Sequence, residues 1–81
     1  MSAPCVVYIE WLDAETNMGW MPKIEESKRP LTKCKSVGFL IGDYEDRVIV
    51  AASYDPDNDN VNSVTVIPKV GITLQKEIVE I

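Results

Sequence analysis

Apolar and polar residues alternate along several short stretches of the chain. Residues 5–12, Cys-Val-Val-Tyr-Ile-Glu-Trp-Leu, are rich in β-branched and aromatic types and predict a strand. Alternation places Cys5, Val7, Ile9 and Trp11 on one face and Val6, Tyr8, Glu10 and Leu12 on the other. Residues 13–19 are turn chemistry, with Asn17 and Gly19 tolerant of positive φ. Residues 20–30 lie between Pro22 and Pro30 and fit one short helical turn or an irregular loop. Residues 32–42 predict a second strand, with Val37, Phe39 and Ile41 on one face. Gly38 within it predicts a bend or a close backbone approach. A polar turn at 43–46 leads to a third strand at 47–54, making a hairpin of 32–54. After the loop 55–60, a fourth strand spans 61–67 and is ended by Pro68. A fifth, 72–80, sets Ile72, Leu74 and Ile78 against Thr73, Gln75 and Glu77.

Five short strands with at most one helical turn predict an all-β chain. The expected architecture is a single small five-stranded antiparallel barrel over 1–81. The short break Ile67-Pro68-Lys69-Val70-Gly71 before a closing strand is similar to small barrels of SH3-like or Sm-like type. That likeness bears on fold and leaves function open.

At 81 residues and 9.1 kDa, the chain has room for one core, of marginal stability alone. No apolar run reaches the length of a membrane-spanning helix, and the first residues lack the pattern of a secretory signal. Cys5 and Cys34 are too few for a disulfide-stapled secreted domain and read as small apolar residues in a reducing compartment. The net charge of −5 disfavours a nucleic acid polymer as partner. Histidine is absent, which removes the commonest general base and the commonest zinc ligand. Neither cysteine nor any serine has a histidine to activate it, so the expectation is a binding protein without cofactor or metal. The loop Asp55-Pro-Asp57-Asn-Asp59-Asn60 opens like a calcium loop. It then has Asn60 where that loop needs Gly and Val66 where it needs Glu.

Charge is unevenly distributed. Residues 20–35 carry Lys23, Lys28, Arg29, Lys33 and Lys35 against Glu25 and Glu26, a net +3 that leaves −8 on the remainder. Such a patch suits a small anion, or serves as a solvated face whose lysines discourage edge-to-edge pairing. Trp11 and Trp20 bracket the first loop. Their rings either stack on bases or plug the ends of the core.

The ordered elements Trp11-Leu-Asp13, Gly19-Trp20, Cys34-Lys-Ser-Val-Gly38 and Ile67-Pro68-Lys69 resemble a group of short proteins encoded by tailed bacteriophages. The resemblance runs over nearly the whole chain. It implies a phage accessory protein acting in the host bacterial cytoplasm and supplies no reaction. Within that setting the residue chemistry fits a sponge. Such a protein sequesters the cyclic di- or oligonucleotide signal, or a related signalling nucleotide, of a host defence system such as CBASS or Thoeris, without cleaving it. On this reading Trp20 and Trp11 stack bases. Lys35 and Lys69 meet phosphates with Arg29 in support, Ser36 donates a hydrogen bond, and Asp13 accepts one. A marginal barrel would gain from homo-oligomerising, since symmetric interfaces build shared pockets. The rival expectation is a protein-interaction module that inhibits a host protein or serves the virion through a sheet edge or the Trp20 loop. An RNA-binding ring and an enzyme with an Asp or Lys base are weaker rivals.

Overall fold

A computed structural model describes residues 4–16 and 18–79. The strands are β1 (Val6–Asp13), β2 (Thr32–Asp43), β3 (Arg47–Asp55), β4 (Asn60–Pro68) and β5 (Ile72–Val79). One helical turn, α1 (Lys23–Glu26), lies between β1 and β2, and a 3₁₀ turn (Lys69–Gly71) between β4 and β5. The all-β expectation holds, strand by strand, to within a residue or two. Gly19 takes the expected positive φ, at 104°; Asn17 lies outside the described residues.

The strands form one antiparallel sheet in the order β4-β3-β2-β1-β5. β1 to β4 form an antiparallel meander that starts inside the sheet, since β1 has β5 on its other side. β2 to β4 run consecutively to one edge, and β5 returns to pair with the far side of β1. The expected barrel closure is not seen: β4 and β5 are the two ends of the order, and no ladder joins them among the described residues. The sheet is therefore open.

It is nevertheless strongly curled. The core cluster is Val7, Ile9, Val48, Val50 and Ile67, with Cys5, Trp11, Leu40 and Ile72 packed against it. These residues come from β1, β3 and β4, although β2 separates β1 from β3. Side chains of such strands meet only if the sheet folds over its own inner face. The 3₁₀ turn marks the same curl. Lys69 Nζ lies 2.5 Å from Asp43 Oδ1 at the end of β2. Two residues later, Gly71 abuts the Leu12 carbonyl so closely that a Cβ would sit 2.7 Å from it.

Two glycines and two register shifts permit this. At Gly38 an added Cβ would sit 2.8 Å from the Ala51 carbonyl oxygen, the close approach that a glycine inside a strand signals. The β2–β3 register shifts between Leu40 and Gly42, which bends β2. The β1–β5 register shifts between Glu10 and Trp11, where Thr73 is the extra residue and donates to the Glu10 carbonyl at 3.2 Å. This bulge corrects the expectation for β5. Ile72 pairs with Trp11 and packs on the core, whereas Leu74 pairs with Glu10 on the other side. Ile72 and Leu74 do not share a face, because the extra residue reverses the alternation.

The faces of β1 are as its alternation predicts, with Val7 and Ile9 buried. On β2 it is Leu40 that packs on the core, so Val37, Phe39 and Ile41 belong to the opposite, outer face. Beyond Ala51 the β3–β4 hairpin continues from Ser53 to Asn62 without a β2 partner and overhangs the sheet. Cys5 and Cys34 are free thiols, each half-buried.

Ile67 is wholly buried in a cluster of five, so Ile67→Ala is expected to cost about 2–5 kcal/mol. Gly38→Ala should cost about 1–3 kcal/mol by forcing β2 away from β3. Urea melts of both variants check this. A neutral Gly38→Ala would mean that the strand separation is not fixed there.

Candidate functional site

The candidate residues divide into three places. The first is a cleft of about 270 Å³ where the end of β1 meets the starts of β2 and β5. Trp11, Lys33, Cys34, Lys35 and Thr73 line it, with Glu10 on the rim. Register puts these together: Trp11 pairs with Cys34 and with Ile72, and Glu10 pairs with Lys35. Trp11 is half-buried, and its indole N–H donates to Ser36 Oγ at 3.0 Å. The Ser36 oxygen is thus an acceptor that holds the indole, which also packs against the core. Lys35 is largely exposed and stands 3.9 Å from Glu10 Oε2. That carboxylate also accepts the Tyr8 hydroxyl at 2.6 Å, and the hydrogen bond pushes the Tyr8 pKa up.

The second place is the β1–β2 loop. Trp20 is fully exposed and lines an open groove of about 390 Å³ with Gly19, Met21, Glu26 and Arg29. Arg29 is pinned at both ends of its guanidinium. Its Nε donates to Glu26 Oε2 at 2.6 Å and its Nη1 to Glu15 Oε1 at 2.9 Å. Glu15 accepts in turn from the Thr32 hydroxyl at 2.9 Å. One carboxylate therefore ties the start of the loop to its end and to the first residue of β2. α1 adds local rigidity through Ser27, whose hydroxyl donates to the Ile24 carbonyl at 2.8 Å. The Arg29 pKa is raised, first by the hydrogen bond to Glu26, so the clamp keeps its charge throughout the working range.

Around that clamp the loop carries Met18, Trp20, Met21, Ile24 and Leu31, all exposed. Sequence reasoning singled out only Trp20 of these five. The signal was present as large apolar residues in a proline-bounded segment with no strand alternation. Glu15 was also missed, since nothing local marks a loop carboxylate as the partner of an arginine further along.

The remaining two candidates stand apart. Asp13 ends β1, exposed, and its Oδ1 accepts the Ala14 N–H at 2.9 Å. Lys69, on the 3₁₀ turn, is paired with Asp43 and is not among the residues lining the Trp11 cleft. The seven candidates are therefore not gathered into one pocket. In the acidic loop, Asp55 caps the turn, accepting from the Asp57 N–H at 3.0 Å and from Asn58 Nδ2 at 2.9 Å. Asp59 accepts the Tyr54 hydroxyl at 3.1 Å. No group of three metal-ligating side chains occurs among the described residues. No helix among them is long and apolar enough to cross a membrane. Compared with family models, with curated proteins and with solved structures, the chain matches none.

The Asp43–Lys69 pair ties the end of β2 to the 3₁₀ turn. The hydrogen bond from Lys69 holds the Asp43 pKa below the ordinary carboxylate value, with Gln75 assisting. A depressed carboxylate pKa stabilises the fold fully above the unfolded value, about pH 4, and this contribution fades as pH falls through the folded value. Lys69→Ala is expected to raise the Asp43 pKa and flatten that part of the acid limb, read by NMR titration of the Asp43 carboxyl carbon. An unmoved titration would mean that the pair does not form in solution.

Proposed function

We propose that the chain is a non-catalytic protein-interaction module that docks a partner protein through the β1–β2 loop. The carrying observation is a fully exposed Trp20 on a loop that also exposes Met18, Met21, Ile24 and Leu31 and is already clamped by Arg29, Glu15 and Glu26. Interface energy concentrates in buried tryptophan and arginine anchors, and a loop ordered beforehand loses less entropy on binding. Five large apolar side chains exposed on one segment between two strands mark an interaction surface. The phage accessory role and the bacterial cytoplasm belong to this proposal, with the partner a host or virion protein. The SH3-like reading of the fold belongs to it too, as a curled but open sheet. The strand order and the 3₁₀ turn before β5 support that reading.

A second reading keeps the nucleotide sponge, moved to the Trp11 cleft. Lys33 and Lys35 flank an indole there, and the site suits one base and one or two phosphates better than the separated set of seven. It is the weaker of the two because Glu10 lines the cleft beside Lys35 and the indole already packs against the core.

Trp20→Ala should abolish capture of the partner from cells that make the protein, while leaving the melting temperature within about a degree or two, since no packing is lost. The unmodified chain is not expected to respond to a panel of cyclic di- and trinucleotides and cyclic ADP-ribose isomers. A thermal shift matching about 2.7 kcal/mol at a hundredfold excess over Kd, lost in Lys35→Ala and kept in Trp20→Ala, would replace the docking reading with the sponge.

A further inference from the structure

The open sheet ends in two edge strands, β4 and β5, and each presents backbone N–H and C=O groups that no neighbouring strand takes up. Such an edge is a template for pairing with another chain, so it needs a guard. β5 has the ordinary ones. It carries Lys76 and Glu77, and its ladder with β1 shifts register twice, between Val6 and Val7 and between Glu10 and Trp11. β4 has neither. Its nine residues, Asn60–Pro68, contain no charge, and its ladder with β3 keeps one register from Asp55 opposite Asn60 to Arg47 opposite Pro68. Val61, Val64 and Val66 are exposed on it. Residues 61–67 are rich in β-branched types and contain no Gly or Pro, the composition of a segment prone to pair with its own kind. Pro68 stands only at the end of the strand.

One residue departs from this regularity. The β3–β4 ladder lacks a pair at a single position, where Ser63 faces Ala52. Ser63 has a φ of 57°, in the left-handed region. Among the described residues Asp59 is the other non-glycine residue of that kind, with a φ of 54°, and it lies at the hairpin turn, where Asp tolerates this conformation. Inside a strand the same conformation is costly, because Cβ crowds the following carbonyl. The Ser63 hydroxyl donates to Asn62 Oδ1 at 3.0 Å, a contact between neighbours on the exposed edge. A strained residue inside a regular element is the kind of observation from which a role is inferred. In an extended strand the outward N–H and C=O groups form one row, and a left-handed residue turns the peptide planes on either side of it out of that row.

We propose that Ser63 is the guard of the β4 edge: its left-handed backbone divides an uncharged strand into Asn60–Asn62 and Val64–Pro68, each too short to template pairing by another chain. The backbone at Ser63 thus does for β4 what charge and bulges do for β5. The device stands apart from the Trp20 loop, so it survives the failure of the docking reading and the reverse also holds.

Sedimentation velocity over a range of concentrations tests it, with thioflavin fluorescence as a second readout. Ser63→Gly keeps access to the left-handed region and is expected to sediment as the unmodified protein does. Ser63→Val has a branched Cβ that favours extended backbone, so it is expected to straighten β4 and associate at concentrations at least about tenfold lower. Adding Val66→Lys to Ser63→Val puts a charge on the opened edge and is expected to restore the unmodified profile. A Ser63→Val protein that sediments like the unmodified one at every accessible concentration overturns the proposal. Association that Val66→Lys does not relieve also overturns it, because the contact then lies away from β4. So does an unmodified protein whose mass falls when Val66→Lys is introduced alone, since its edge is then already paired. If Ser63→Val does not fold, Ser63→Thr carries the same backbone bias with the hydroxyl retained and decides on the same readouts.

Discussion

Ile9 and Ile67 are both wholly buried members of one cluster, although β1 and β4 are separated in the sheet by two intervening strands. Their packing requires the sheet to curl, and the rest of the molecule follows from that curl. β2 must bend, which the register shift near Gly42 provides. β2 and β3 must approach closely, which only a glycine at position 38 allows. The 3₁₀ turn must bridge the end of β2 and the end of β1, which Lys69 and Gly71 achieve within three residues. Burial of the cluster supplies the free energy, and the bulges and glycines lower the cost of the geometry.

The curl also explains which parts of the fold were legible beforehand. β1 alternates cleanly, and its buried positions Val7 and Ile9 could be read directly. Gly38 announced a close approach because an isolated glycine in a strand has few other uses. β2 was ambiguous because apolar residues occupy both of its faces, so alternation cannot say which side is inward. In β5 a single bulge at Thr73 undid a correct strand assignment, since one extra residue exchanges the faces. Barrel closure was the natural extrapolation from five strands. It depends on whether β4 meets β5, a pairing that no local pattern encodes.

The candidate site was legible to the same degree. Trp20 could be placed on a loop from Gly19 and Pro22 around it. The fate of the cations could not. The segment 20–35 has a formal excess of positive charge, which favoured an anion site. In the fold, Arg29 is held by Glu15 as well as Glu26, Lys35 leans toward Glu10, and Lys69 is held by Asp43. Each cation with a long-range carboxylate partner has already spent part of its attraction. The cations nearest the two tryptophans, Arg29 and Lys35, are thereby partly neutralised, which favours protein contact over phosphate binding at those positions.

The two exposed apolar surfaces, the outer sheet face and the β1–β2 loop, differ in kind. The outer sheet face is an extension of the fold: Phe39, Ala51 and Val64 are paired in register across the sheet, and Ala51 is already buried. The loop cluster is separable from the fold. Its side chains come from a segment tied down by polar groups alone, Arg29 and Thr32 to Glu15, and none of them joins the core. A surface whose exposure leaves the domain intact is free to wait for its partner.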